Sequence, residues 1–203
     1  MAKALLLNVN SKYALYVSLE DLELTGYFLR ETNQELTSFF VESLQSFCQI
    51  HHCNPTEINF LYFVNGPGSF TNIRLSTLLV KTLLTLHSHL QIKETDLLTF
   101  SMNQKNKEIV YLQSNKTTYF VLIHDKEQVQ VPTTLVDVNQ FNQYQSQYPD
   151  YLVKNVDNQQ VIVNQIERHD FNLDLFKPTS LDTLKANYMK DPNITLNKHP
   201  DNK

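Results

Sequence analysis

Apolar residues occur in three short blocks at the start of the chain and then change to a helical spacing. Residues 3–9, 13–19 and 22–29 predict three strands joined by short turns, with Gly26 placed for a bulge. Thr32 and Glu35 have the spacing of a capping box, which predicts a helix over 33–50. The apolar stripe of this helix consists of Leu36, Phe39, Phe40, Leu44, Phe47 and Cys48. A nearly continuous apolar run at 58–64 then predicts a strand buried on both faces.

A turn that contains two of the chain's three glycines, Gly66 and Gly68, joins this strand to a helix predicted over 71–87. The apolar side of that helix covers about half of its circumference, which is wider than the stripe of roughly 100° that a surface helix needs. Either a second packing partner or deep burial in its own domain accounts for this width. Free N–H groups at a helix start can hold phosphate, but no Walker pattern follows. We therefore interpret the turn as a packing elbow that sets the direction of the helix.

The composition changes after about residue 103, where Asn and Gln become abundant and the apolar runs become short. Five short apolar runs predict strands: 108–112, 118–123, 128–131, 151–154 and 161–163. Residues 138–144 predict a helix, and residues 181–184 predict a helical turn. We therefore divide the chain into an N-terminal subdomain over 1–102 and a C-terminal subdomain over 103–203. The polar stretch 193–203 is expected to form a flexible tail. Periodicity alone assigns the chain to the α/β class.

Charge and cysteine content narrow the class of protein. The net charge is -4 and the pI is about 5.9, so the chain lacks the basic excess of a dedicated RNA-binding domain. Cys48 and Cys53 form neither a disulfide framework nor a CxxC motif, and Cys48 is expected to be a buried small hydrophobe. No apolar run of about 18 residues is present, so we expect no membrane span and a cytoplasmic protein.

Motifs that carry catalytic chemistry are missing from the sequence. The seven histidines, among them His51, His52, His87 and His89, follow no HExxH or His-x₃-His spacing, and we interpret them as surface or helix-terminal residues. Ser69 follows Gly-Pro-Gly rather than standing in G-x-S-x-G, so a serine nucleophile is not indicated. We therefore expect no catalytic residue, no metal site and no cofactor.

The elbow carries a resemblance to a known family. The stretch Gly66, Pro67, Gly68, Ser69, Phe70, Thr71, Asn72, Ile73, Arg74, Leu75 resembles the TsaB (YeaZ-like) signature G-P-G-S-F-T-G-[LIV]-R-[IL]-G, with Asn72 and Ser76 in place of glycines. Residues 5–10 align with the family's first strand. Residues 186–192, Ala-Asn-Tyr-Met-Lys-Asp-Pro, are similar to its closing Pro-x-Tyr-Leu-Arg-Asp-Pro. The central motif is specific, whereas the two end markers are informative only beside it.

The resemblance implies an actin-like ATPase (ribonuclease H-like) fold, here divergent and shortened in its second half. It also implies a non-catalytic scaffold subunit of the bacterial machinery that makes threonylcarbamoyladenosine in tRNA. Such a subunit would pair with the catalytic paralogue TsaD, support binding of the ATPase TsaE, form a homodimer when alone and meet tRNA only indirectly. We assign the partner interface to apolar residues of the two helices: Leu36, Phe39, Phe40, Leu75, Leu78 and Leu79.

An enzyme of the same fold, a nucleotide-dependent phosphotransferase, is the alternative. Active members of the fold carry an acidic residue at the end of the first strand, and the resemblance places Asn8 there. A neutral amide is a poorer Mg²⁺ ligand than a carboxylate, so the sequence favours the scaffold.

Overall fold

The computed structural model describes residues 1–32 and 35–189, and the first half of the chain builds a sheet covered by helices. The sheet consists of β1 (Lys3–Asn8), β2 (Tyr13–Glu20), β3 (Glu23–Glu31), β4 (Phe60–Val64), β5 (Gln91–Thr95) and β10 (Lys177–Thr179), in the order β10-β5-β4-β1-β2-β3. Strands β1, β4 and β5 are parallel, and β2, β3 and β10 run antiparallel to their neighbours. The three predicted N-terminal strands and the buried fourth one are confirmed.

Strand β4 is apolar along its length because both of its faces are covered. Leu61 and Phe63 pack with α1 (Leu36–Ile50) and α2 (Phe70–Leu86) on one side of the sheet. Tyr62 and Val64 point the other way, into a core shared with the second half of the chain. Because successive side chains of a strand alternate between its faces, a strand buried on both sides shows no polar alternation.

The start of α1 differs from the prediction. The N-cap residue is Glu35, whose side chain makes no capping hydrogen bond. The Thr32 hydroxyl instead donates to the carbonyl oxygen of Lys12 at 3.1 Å, next to the β1–β2 turn. The predicted capping box is therefore wrong, because tertiary contact with that turn takes the hydroxyl away from the helix. Residues 33 and 34, the first two of the predicted helix, lie outside the described residues.

The second half repeats the topology of the first in shortened form. Its elements are β6 (Lys107–Gln113), β7 (Thr118–Asp125), β8 (Gln128–Asp137), α4 (Val138–Gln147), β9 (Leu152–Asn155) and α5 (Gln159–Glu167). The sheet order β8-β7-β6-β9 matches β3-β2-β1-β4, and in both cases the last pair is parallel. Within the described residues, no strand of this sheet takes the position that β5 occupies in the first.

One predicted strand of the second half is a helix. The β-branched run 161–163 predicted a strand but lies inside α5. The Asn158 side chain accepts a hydrogen bond from the Gln160 N–H and caps this helix. Ile162 and Ile166, one turn apart, are its buried residues. The cap and the four-residue spacing outweigh the strand propensity of three consecutive residues.

The two halves share a core, and a strand that follows the second half in the chain joins the first sheet. Residues of both sheets, of α5 and of α3 (Leu97–Phe100), which follows β5, pack together around Phe100 and Phe176. The second sheet begins at Lys107, but β10 pairs with β5 and returns residues 177–179 to the first sheet. The predicted C-terminal subdomain over 103–203 did not include this return. None of the described helices is long and apolar enough to cross a membrane.

Candidate functional site

The elbow between β4 and α2 is fixed by close backbone contacts on both sides. Gly66, which precedes Pro67 through a cis peptide bond, has a φ of 65°, in the left-handed region that favours glycine. A Cβ added to Gly66 would lie 2.0 Å from the carbonyl oxygen of Asn187. Both the backbone angle and the nearby chain therefore require glycine at this position.

Gly68 is required for a different reason. Its φ lies outside the left-handed region, but an added Cβ would lie 1.9 Å from the carbonyl oxygen of Asn10. The same carbonyl oxygen accepts a hydrogen bond from the Ser69 N–H at 3.2 Å. Close packing of the elbow against the β1–β2 turn, rather than an unusual backbone angle, thus excludes a side chain at Gly68.

Asn65 joins the elbow to the segment near the end of the described chain. This buried side chain donates from its Nδ2 to the Glu94 carboxylate and to the Lys185 carbonyl oxygen, each at 2.7 Å. Its Oδ1 accepts from the Asn187 N–H at 3.1 Å. Sequence reasoning assigned no role to Asn65, although its position directly before Gly66 is a usable signal.

These contacts form one structure, which we call the clasp: residues 65–69, the Asn10 carbonyl and residues 185–188. The rings of Phe70 and Tyr188 pack beside it with centroids 5.1 Å apart. The three sequence markers that carried the family resemblance, widely separated along the chain, therefore meet at one place. Residues 190–192 of the last marker lie outside the described residues.

A cavity of about 810 Å³ opens beside the clasp, between the two halves. It is lined by the β1–β2 turn, residues 68–72 at the start of α2, and residues of the second half that include Phe120 and Asp157. The Lys12 N–H donates to the Asp157 carboxylate at 2.9 Å across this cleft. Burial raises the pKa of Asp157 above its ordinary value, although the Lys12 N–H and ammonium act in the opposite direction.

Asn8, the predicted departure from active members of the fold, is buried at the end of β1. Its Oδ1 accepts a hydrogen bond from the Asn10 N–H at 3.4 Å. The Asn10 side chain in turn donates to the carbonyl oxygen of Val64, directly before the elbow. Asn8 thus supports the β1–β2 turn on which the clasp is built.

The structure separates the predicted interface residues into two groups. Leu36, Phe39 and Phe40 are buried in the core between the first sheet and its helices. Their assignment to an open partner surface is therefore corrected, because the stripe of α1 faces its own sheet.

The second group lies on α2. Leu75 and Leu79 are half-buried, whereas Leu78 is 64% exposed. Leu86, which the prediction omitted, is 69% exposed on the same helix. Arg74 and Thr71 are exposed near the elbow. The wide apolar arc of α2 thus packs against the core along part of its width and leaves Leu78 and Leu86 in contact with solvent.

A buried charged cluster in the second half escaped sequence reasoning. It consists of Glu108 on β6, His124 on β7 and Lys154 on β9. His124 is fully buried, which corrects its interpretation as a surface residue. The Glu108 carboxylate lies 3.3 Å from His124 Nε2 and 3.4 Å from Lys154 Nζ, and it accepts the Asn103 N–H at 3.0 Å.

Two opposing effects act on the carboxyl group of this cluster. Burial alone would raise the pKa of Glu108, but the hydrogen bond with His124, the Lys154 charge and the Asn103 N–H together lower it below its ordinary value. Lys154 also donates to the Ser101 carbonyl oxygen, which links the cluster to the connection between the two halves. Across residues 1–32 and 35–189, no three His, Cys, Asp or Glu side chains are grouped as metal ligands would be.

Comparison with known proteins identifies the fold. Neither a protein-family model nor a curated relative matches the chain. YeaZ from Pseudomonas aeruginosa is similar in structure, with a TM-score of 0.55 and 12% identity over 68% of this chain and 67% of that one. A protein described as similar to peptidase YeaZ from Pseudomonas aeruginosa matches with a TM-score of 0.63 and 8% identity, over 94% of this chain and 100% of that one. These likenesses confirm the predicted YeaZ-like, actin-like ATPase fold.

Proposed function

We propose that this chain, which has the YeaZ-like fold, is a TsaB-type scaffold subunit of the machinery that makes threonylcarbamoyladenosine in tRNA. It would pair with a TsaD-like catalytic paralogue, support binding of a TsaE-like ATPase and leave the transfer chemistry to its partners. This role would place it in the cytoplasm.

The clasp is the observation that carries this proposal. The elbow signature, the end of the first strand and the closing segment resemble the TsaB family separately in sequence. They meet through named contacts: Gly68 against Asn10, Gly66 against Asn187, and the hydrogen bonds of Asn65 to Lys185 and Asn187. Motifs that share one structural task support common descent more strongly than motifs scattered over the surface.

The structural use of Asn8 supports a non-catalytic role. Its amide oxygen accepts the Asn10 N–H rather than lining the cleft beside the clasp. The carboxylate that does line the cleft, Asp157, already accepts the Lys12 N–H from the opposite half. Asn8 is thus engaged in supporting the β1–β2 turn, and Asp157 in a contact between the two halves.

Helix α2 supplies the surface that we assign to the partner. It starts at the clasp, and Leu75, Leu78, Leu79 and Leu86 lie on it at spacings of three, four and seven residues, as one face of a helix requires. Exposed apolar surface of this kind marks interaction sites. We propose that a TsaD-like chain covers this face in the complex and that a second copy of this chain covers it when the partner is absent. The net charge of -4 supports only indirect contact with tRNA.

Replacing Leu78 by glutamate tests the interface. The side chain is 64% exposed, so the change should leave the fold intact while placing a charge in the centre of the proposed contact. We expect the affinity for the purified TsaD-like paralogue to fall by roughly 30-fold or more, as for an interface hot spot. Isothermal titration calorimetry measures this affinity, and light scattering measures the homodimer.

Val129→Glu is the matched control, because Val129 is also about half exposed (49%) but lies on β8 of the other half. The control variant should bind the paralogue as the unchanged protein does. Equal binding by Leu78→Glu and the unchanged protein would contradict the proposed interface.

The cavity beside the clasp makes the alternative function, a nucleotide-dependent phosphotransferase, testable. A cavity of about 810 Å³ at the start of a 17-residue helix could admit a nucleotide. The scaffold proposal predicts no ATP turnover above background by the isolated chain. Steady turnover that survives stringent purification and is lost in Asn8→Ala would favour the enzyme instead.

A further inference from the structure

The chain's two cysteines lie together where α1 ends. Cys48 is in the last turn of the helix and Cys53 follows the turn after it. Both are buried, at 8% and 2% exposure, in the core between the first sheet and its helices. The Cys53 N–H donates to the Cys48 carbonyl oxygen at 3.0 Å, so the two backbones meet directly.

This backbone contact sets a separation that a disulfide can span. Hydrogen-bonded pairs in antiparallel sheets have Cα atoms about 5.5 Å apart, and disulfides join Cα atoms roughly 4.4–6.8 Å apart, so a backbone contact of this kind is compatible with a disulfide. Both cysteine side chains belong to the same buried hydrophobic cluster.

A small molecule can approach Cys53 through a cavity at the surface. Cys53 lines a surface cavity of about 430 Å³ together with Lys3, His51 and His52. The Lys3 ammonium group at this cavity donates to the Glu57 carboxylate at 2.8 Å and to the His52 carbonyl oxygen at 3.3 Å.

We propose that Cys48 and Cys53 are an oxidation site at which hydrogen peroxide forms an intramolecular disulfide. The Cys53 thiol loses its proton and its sulfur attacks one peroxide oxygen; the O–O bond breaks, and hydroxide leaves and takes up that proton to become water. The Cys48 sulfur then attacks the Cys53 sulfenic acid, the S–S bond forms, and the sulfenic oxygen leaves as a second water with the Cys48 proton. The two thiols lose two electrons, which reduce the peroxide.

Mass spectrometry of the full-length protein tests this site. The reduced protein is exposed to hydrogen peroxide in its native state, quenched, denatured and treated with N-ethylmaleimide. We expect a monomer that has lost two hydrogen atoms and takes up no maleimide. A reducing agent should restore uptake of two maleimides. Trypsin leaves both cysteines in fragment 31–74, so mapping without reductant should recover this fragment lighter by two hydrogen atoms and free of maleimide.

Two further results decide the proposal. Cys48→Ser should stop at a Cys53 sulfenic acid that dimedone labels, because the resolving thiol is gone. If that variant does not fold, the oxidised fragment from the unchanged protein decides alone. Uptake of two maleimides after peroxide treatment, disulfide-linked dimers, or oxygen addition without loss of hydrogen would each overturn the proposal.

Discussion

Replacing Glu108 by glutamine removes one negative charge from the buried charged cluster and keeps the side chain's size. His124 and Lys154 then lose the carboxylate that faces them at 3.3 and 3.4 Å. The glutamine amide would also bring a donor group close to the Lys154 ammonium and the Asn103 N–H, which are themselves donors. We therefore expect the free energy of unfolding to decrease.

The size of the decrease follows from burial. Removing one partner of a buried ion pair costs about 3–5 kcal/mol, because the remaining charge is left uncompensated. The Lys154 side chain is 19% exposed and can gain some contact with water, so we expect the lower end, about 3 kcal/mol. For a chain of 203 residues this lowers the melting temperature by roughly 6–12 °C.

The effect should depend on pH in one direction. The pKa of Glu108 in the folded protein lies below its ordinary value of 4.5. Its stabilisation is therefore fully present above about pH 4.5 and is lost as the pH falls through the lower folded value. Urea unfolding followed by circular dichroism, for the unchanged protein and Glu108→Gln at several pH values, measures both the decrease and its pH dependence.

Glu127→Gln is the control, because Glu127 is exposed in the turn between β7 and β8. It should change the free energy of unfolding by less than about 0.5 kcal/mol, as surface substitutions do. An equally small change for Glu108→Gln near neutral pH would contradict a stabilising role for the buried charged cluster. A difference from the unchanged protein that does not shrink in acid would contradict it as well.

Two further substitutions test the clasp. Gly68→Ala should lower the free energy of unfolding in urea by about 1–3 kcal/mol, because its Cβ would meet the Asn10 carbonyl oxygen. The control Ser69→Ala removes a side chain that makes no capping hydrogen bond and should cost much less. Equal losses for the two variants would contradict the close approach at Gly68. Asn65→Ala removes two donated hydrogen bonds and one accepted bond, so we expect a loss of about 2–3 kcal/mol and faster hydrogen exchange of the Asn187 amide, with protection of β4 unchanged. Exchange that accelerates equally in both places would show global destabilisation instead.

The first half of the fold could be predicted because its elements are long and its pattern is local. The stripe of α1 and the apolar run of β4 appear within 15 and five consecutive residues. Strand β5 was not predicted, because Gln91–Thr95 contains one aliphatic residue, Ile92. Its pairing with β4 makes it a strand. Strand β10 has three residues, one of them Pro178, and no sequence window reveals its pairing with β5.

The candidate site was predicted only as far as local pattern reaches. The elbow was found from its glycines, but the partners that require them, Asn10 and Asn187, are distant in sequence. Periodicity showed that Leu36, Phe39 and Phe40 share a face, but it does not identify what covers that face. The contact between Glu108 and His124 was missed for the same reason. The register of β6 and β7 places these two residues opposite each other, and their spacing in the sequence does not reveal that register.

The hydrogen bonds of Asn65 to Lys185 and Asn187 also determine when the clasp can form during translation. When the ribosome has completed β5, it has produced neither β10 nor residues 185–187, so the elbow lacks the chain that closes it. Chains fold from the N-terminal side as they emerge, so α2 and its exposed leucines exist before the clasp does. A nascent chain interrupted before residue 185 therefore exposes the leucines of α2 while the clasp at the start of that helix is incomplete. If binding of the proposed partner requires the clasp, that association selects chains whose translation has passed residue 185.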